Sequence, residues 1–296
     1  MPEKINTRKT ADLAKLPKLS LPSDASHKGQ NGKLLIVGGS QLFHGASQWS
    51  FEVASRIVDM VFYASTPSNN KILSNLKQHL TDGLVIGREQ VFSYAAEADV
   101  ILVGPGMTRA KFPDKAPDFK LLDNLTTKAW QDDTYQIVNF LLAKLPEKKF
   151  VIDAGALQMV ELSLLNKHHL LTPHHGEFEA LRARVTPQTL DNLGETMILE
   201  KGRVDQIRQG SEQYFEIIGG NAGMTKGGTG DALAGLVAAL YCNNEALTAA
   251  AWGSSVCKMA GDELYKKVGF FFNATDLAAQ IPSTLWQLSK NSVPSV

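Results

Sequence analysis

Six short apolar runs, each leaving on a glycine or polar turn, constrain this chain most: KLLIVGGS (33–40), DMVFYAS (59–65), DVILVGPG (99–106), KFVIDAG (149–155), HLLTPHHGE (169–177) and TMILEKG (196–202). Continuous runs of this length, rich in Val, Ile and Leu, suit strands buried on both faces, and helical compositions fill several of the gaps between them. The alternation predicts an α/β fold, a mostly parallel, doubly wound sheet with helices on both faces. Ligands of such sheets lie beyond the carboxyl ends of the strands, and every informative motif of this chain falls at such an exit. QYFEIIGGN (213–221) reads as a further strand, hairpin-paired with VDQIRQG (204–210). Residues 246–266 form an apolar helical pattern with Gly253 and Gly261 at close-packing points, and NATDLAAQIP (273–282) reads as a short final helix with Thr275 at its N-cap. No repeat, low-complexity tract or linker divides the chain, so residues 27–296 are assigned to one domain behind an N-terminal extension, residues 1–26.

The stretch NAGMTKGGTGDALAG (221–235) puts a glycine-dense turn and one carboxylate in front of an apolar helix. Gly227, Gly228 and Gly230 let the backbone take positive φ and bring several N–H groups to one ligand, while the helix from Asp231 onward points its positive end at the same place. That is an anion site with a base beside it. Asp231 reads either as that base or as a helix N-cap. The spacing is neither that of a P-loop nor that of a dinucleotide fingerprint.

Composition narrows the partners. Lys plus Arg and Asp plus Glu are both 30 in a chain of 296 residues, so no net charge argues for nucleic acid or a membrane surface. Cys242 and Cys257 lack zinc-site spacing and read as buried thiols in a reducing compartment. The first 20 residues are basic without an apolar core, and no segment offers about 18 apolar residues in a row, so the chain is expected in the cytoplasm.

The remaining exits carry their own chemistry. In HKGQNGKLLIVGGSQLFHGA (27–46) a strand ends at Val37 and Gly45 and Ala46 open a helix with almost no bulk, which suits a ligand or a close helix packed on the strand. In DVILVGPGM (99–107) Pro105 stiffens a turn that exposes glycine N–H groups. Asp153 of VIDAGALQMV (151–160) either caps the next helix or faces a metal-bound water. Within LLTPHHGEFEAL (170–181), Pro173 keeps Thr172 extended and presents His174, and Glu177 sits where a helix start favours its charge. LEKGRVD (199–205) contributes Lys201 and Gly202.

Taken in this order, these segments resemble the signatures of the ADP- or ATP-dependent NAD(P)H-hydrate dehydratase family of the ribokinase-like superfamily, from residue 27 to about 235. The resemblance implies a ribokinase-like fold and an enzyme that repairs damaged nicotinamide cofactor, dehydrating the S epimer of NADHX or NADPHX with ADP or ATP as co-substrate and Mg2+ as cofactor. It places Asp231 as catalytic base and Ala46, Gly106, His174 and Asp231 against the hydrate. Lys201, Gly202, Arg203, Val204 and Asp205, with Gly227, Gly228, Thr229 and Gly230, would hold the nucleotide, and Glu177 would meet magnesium through water. A homotetramer and a separate epimerase partner are also implied. The chain departs from the family pattern at Phe43 (usually Tyr), Thr108 (Gly), Gly155 (Asp), His175 (Pro) and Asp205 (Thr). A carboxylate at Asp205 would repel a phosphate if it faced inward, and Lys226 reads as a compensating phosphate contact or as a solvated lysine. Two rival readings stay open: a small-molecule kinase of the same superfamily that stops before elimination, and a non-catalytic nucleotide sensor.

Overall fold

The computed structural model describes residues 1–76, 82–109, 112–113 and 117–292. Among them, ten strands form one sheet: β1 (Glu3–Asn6), β2 (Lys33–Val37), β3 (Met60–Ser65), β4 (Leu84–Gly87), β5 (Val100–Val103), β6 (Lys149–Ile152), β7 (His169–Leu171), β8 (Met197–Glu200), β9 (Val204–Gln209) and β10 (Glu212–Ile218). Their spatial order is β1-β10-β9-β8-β7-β6-β5-β2-β3-β4, antiparallel at β8–β9 and β9–β10 and parallel elsewhere. The six apolar runs are thus the central strands.

Successive side chains of a strand point to opposite faces, so a run apolar at every position must be covered twice. β2 shows this directly. Leu34 and Ile36 enter a core with Phe51 and Trp252, whereas Leu35 and Val37 enter a second core with Phe62 and Phe140. Helices Gly45–Ala54, Thr229–Asn243 and Ala246–Val268 build the first layer, and helix Thr134–Lys144 belongs to the second. No helix among the described residues is long and apolar enough to cross a membrane.

Three sequence expectations need correction. Residues 1–26 are not a segment apart from the sheet, because β1 pairs in parallel with β10 and Ile5 is fully buried. Polar Glu3, Lys4 and Asn6 mask this edge strand in the sequence. β4 is likewise short and ends on glycine. The last helix is long, Ala274–Ser292, and includes Pro282; Leu277, Ile281 and Leu288 on its packed face are all fully buried, which offsets the helical hydrogen bond a proline removes. Thr275 lies inside it, and Asn273 Oδ1 accepts the amides of Thr275 and Asp276 at 2.9 and 3.1 Å.

The chain adds strands outward from β2 to β4, then returns and builds the other way from β5. The loops after β2 and β5 therefore diverge, and a crevice opens between them at the carboxyl ends. Helix Thr229–Asn243 is held beneath this crevice by a backbone-close crossing, since a Cβ on Gly235 would lie 2.5 Å from the Ser50 carbonyl oxygen. We expect Gly235→Ala to lower the urea midpoint, because overpacking against backbone costs about 1–3 kcal/mol and outweighs the ~1 kcal/mol gained in helix propensity. Gly194→Ala, with open space at its Cβ, should not lower it.

Candidate active site

At the crevice the loops after β2 and β5 interlock. The Gly39 amide donates to the Pro105 carbonyl at 2.7 Å, and a Cβ on Gly38 would lie 2.6 Å from the same oxygen, so these glycines serve close packing. Arg88, buried and unremarked in the sequence, donates to the Gly38 and Gly39 carbonyls at 2.6 Å each. Beyond them, Ala46 and Gly106 face one another; a Cβ on Gly106 would stand 2.9 Å from that of Ala46. Both line a cavity of about 620 Å³ with Phe43, Met107, Gly155 and Asp231. Gly155 has no alternative, because a Cβ there would come within 2.2 Å of the Met107 carbonyl oxygen. An aspartate cannot fit on this backbone.

The glycine turn forms the other wall. Of its glycines only Gly228 takes positive φ, at 96°, with the Trp49 ring 2.3 Å from where its Cβ would be; Gly227 meets open space. The helix begins at Thr229, with Gly228 as its N-cap, so Asp231 is a first-turn residue and not the cap. Thr229 Oγ1 closes the turn by donating to the Met224 and Lys226 carbonyls at 2.7 and 2.9 Å. Ser50 Oγ donates to the Asp231 carbonyl at 2.8 Å and ties the turn to helix Gly45–Ala54. Lys226 is turned away, its ammonium on the Phe270 carbonyl and over the Phe272 ring.

A second cavity of about 890 Å³ lies on the far side of this turn. Lys201, Gly202, Arg203, Val204 and Asp205 line it together with Thr229 and Gly230, whereas Gly227 and Gly228, also expected at the nucleotide, do not line it. His174, expected beside the hydrate, lines this larger cavity instead, because a parallel bridge and the Lys201 amide on the Pro173 carbonyl (2.7 Å) zip the exits of β7 and β8 together. One turn thus separates two cavities, with Asp231 facing one and Thr229 and Gly230 the other. Arg8, from the segment set apart in the sequence, also lines the larger cavity.

Charge converges at the junction. Lys201 Nζ donates to Asp153 Oδ1 at 2.8 Å and abuts Gly230, whose Cβ would lie 3.4 Å away. Burial opposes its charge, yet Asp153, Glu177 and Asp231 together raise its pKa. Asp153 also accepts from Thr172 Oγ1 at 2.8 Å and makes no side-chain bond to the following helix, so it is an ion-pair partner and not a capping side chain. Glu177 and His174 form a capping box: Glu177 Oε2 accepts the His174 amide at 2.9 Å, and His174 Nδ1 accepts the Glu177 amide at 3.2 Å. His175 points outward to Glu200 at 3.0 Å. Asp231 is pushed up to about 7, first by burial and then by the Asp153 charge, with Lys201 opposing. The Asp205 carboxylate, though at the larger cavity, is engaged by the protein itself. It accepts the Gly202 amide at 2.8 Å and Ser254 Oγ at 2.7 Å and pairs with Lys258 Nζ at 3.0 Å.

The family model for NAD(P)H-hydrate dehydratase matches residues 34–283, and the chain belongs to that family. It is 33% identical over 270 residues to the bifunctional NAD(P)H-hydrate repair enzyme of Methanocaldococcus jannaschii, covering 88% of this chain and 49% of that protein. The chain therefore spans about half the length of the bifunctional relatives it matches. It is also 31% identical over 309 residues to the ADP-dependent (S)-NAD(P)H-hydrate dehydratase of Nitrosopumilus maritimus, covering 96% of this chain and 99% of that one. Among solved structures, a ribokinase-like superfamily protein of Enterococcus faecalis superposes with a TM-score of 0.74 at 20% identity, covering 98% of both chains. The ADP/ATP-dependent NAD(P)H-hydrate dehydratase of Bacillus subtilis, co-crystallised with ATP and Mg2+, does so with a TM-score of 0.65 at 20% identity, covering 96% of this chain and 99% of that one. The fold is ribokinase-like.

The electrostatics of Asp231 yield a stability test. Its folded pKa lies above its unfolded value, so the ionised form costs stability, and that cost grows as pH rises from the ordinary carboxylate range through about 7. Asp231→Asn removes the titration. The variant should melt increasingly above the wild type between pH ~5 and pH ~8, as thermal scans at both values will show.

Proposed function

We propose that this chain dehydrates the S epimer of hydrated NADH or NADPH at the expense of an adenine nucleotide, with Asp231 as the general base. The observation that carries the reading is the single glycine turn between two cavities, which sets a base of raised pKa toward one and helix-start amides toward the other. The hydrate occupies the smaller cavity between Ala46 and Gly106, and the nucleotide the larger one, its terminal phosphate at Thr229 and Gly230. Asp231 takes the proton of the ring hydroxyl as that oxygen attacks the terminal phosphorus, and the nucleotide leaves shortened by one phosphate. The ring nitrogen lone pair then expels inorganic phosphate, and loss of a proton from the adjacent ring carbon restores the double bond of the reduced cofactor. Positioning and charge stabilisation dominate such a transfer.

The donor set suits a hydrated magnesium ion brought by the nucleotide. Three carboxylates, Asp153, Glu177 and Asp231, surround one ammonium and leave negative charge in excess. Yet Asp153 Oδ1 and Glu177 Oε2 are engaged by protein donors, and no group of three ligating side chains assembles among the described residues. Magnesium keeps several of its waters, and Glu177 and Asp153 are the residues that would accept them. When bound, it neutralises phosphate charge.

The reaction is tested by following recovery of reduced-nicotinamide absorbance from the hydrate with magnesium and either ADP or ATP. We expect recovery with release of inorganic phosphate, a loss of more than about 100-fold in Asp231→Asn, and an acid limb in kcat/KM centred at about 7, because the base must be ionised. Accumulation of a phosphorylated alcohol without recovery of absorbance would instead identify a kinase.

A further inference from the structure

Both walls of the larger cavity are tied to a single helical face. Ser254, Lys258 and Asp262 recur every four residues along helix Ala246–Val268 and so lie in one row. Lys258 Nζ pairs with Asp205 and donates to the Gly202 and Arg203 carbonyls at 3.0 and 3.4 Å, while Ser254 Oγ holds the second Asp205 oxygen. The Asp205 carboxylate in turn accepts the Gly202 amide. Lys258 Nζ and one Asp205 oxygen are thus spent on the turn 202–205 and the other Asp205 oxygen on Ser254, and both side chains of the pair are only 6% exposed. One helical turn further on, Asp262 accepts the Gly220 amide at 3.2 Å and Asn221 Nδ2 at 3.3 Å and takes the Arg8 guanidinium on both oxygens, at 2.9 and 3.1 Å. Arg8 donates onward to the Gly220 carbonyl at 2.7 Å, and Asn221 Nδ2 to the Gly261 carbonyl at 2.8 Å. The two turns clamped in this way, 202–205 and 219–222, both line the cavity.

We infer that this row is a positioning device for the nucleotide: Lys258, through Asp205, and Asp262, through Arg8 and Gly220, hold the two turns in the shape that receives it. The inference rests on the assignment of the larger cavity to the nucleotide. Turns that carry irregular backbone would otherwise be ordered at the moment of binding, and pre-ordering them improves affinity without a new ligand contact. The inference also accounts for the acidic residue at position 205. A carboxylate there is compatible with a phosphate ligand because Lys258 neutralises it from behind, so the two residues act as one unit.

The test is calorimetric titration of ADP and of ATP into the full chain, its Lys258→Met and Asp205→Asn variants and the double variant, with thermal melts alongside. We expect Lys258→Met to bind about tenfold more weakly or worse. The double variant, which buries no unpaired charge and keeps an acceptor for the Gly202 amide, should lose less than the product of the two single losses. If Lys258→Met does not fold, a folded double variant that binds more weakly than the wild type supports the inference. Wild-type affinity in a folded Lys258→Met protein, or in the double variant, overturns it and leaves the row a matter of stability alone. A wild-type chain that binds neither nucleotide overturns the nucleotide assignment and the inference with it.

Discussion

The ion pair between Lys201 and Asp153, 2.8 Å long and buried at the meeting point of the exits of β6 and β8, governs the electrostatics of the site. An ammonium taken out of water loses several kcal/mol of hydration. Here the field of Asp153, Glu177 and Asp231 exceeds that loss, because the lysine pKa rises despite burial. The consequence for Asp231 is more subtle. Burial and its acidic neighbours drive its pKa upward, Lys201 draws it back, and the balance falls near neutrality, where a carboxylate is a competent base without being permanently protonated. Without the lysine, the same cluster would hold Asp231 protonated over more of the physiological range.

Backbone contacts make this arrangement rigid. A Cβ at Gly104 would lie 1.8 Å from the Asp153 carbonyl oxygen, and Gly155 presses as closely on Met107, so the loops after β5 and β6 touch main chain to main chain. Between these contacts Ala154 is held at φ 48°, a left-handed conformation that costs a non-glycine residue about 1–2 kcal/mol. The strain sits beside the ion-paired aspartate and on the wall of the smaller cavity. Surroundings packed this closely can enforce it, and they fix Asp153 relative to Asp231.

The sequence reveals the central sheet because strands buried on both faces must be apolar at every position, and it reveals the glycine turn because few other structures need so many glycines before a helix. It conceals features whose logic is tertiary. β1 reads as polar because three of its four residues are, and only pairing with β10 buries Ile5. The Asp205–Lys258 pair spans more than 50 residues of sequence, so the carboxylate looks like a liability until its partner is seen. His174 is legible as a crevice residue, but which cavity it lines depends on how β7 and β8 exit together. Arg88 and Arg8 belong to no motif; each acts by holding loop carbonyls.

Thr229, Gly230 and Asp231 form one turn shared by the two cavities, with Asp231 on the smaller and Thr229 and Gly230 on the larger. Under the proposed reaction, a hydroxyl in the smaller cavity meets a phosphorus in the larger one across the span that these three residues define, and holding reactants at such a distance lowers a barrier by several kcal/mol through orientation alone. The Ser50 hydroxyl on the Asp231 carbonyl and the contact of Gly235 with Ser50 lock that span to helix Gly45–Ala54, which carries Ala46. Asp231 and the Ala46 wall of the smaller cavity therefore belong to one rigid body. Two separate turns line the larger cavity, and these depend on side chains of helix Ala246–Val268 for their shape. On the proposed assignment, chemistry and nucleotide affinity are set by different parts of the fold, and substitutions on that helix change the second without moving the first.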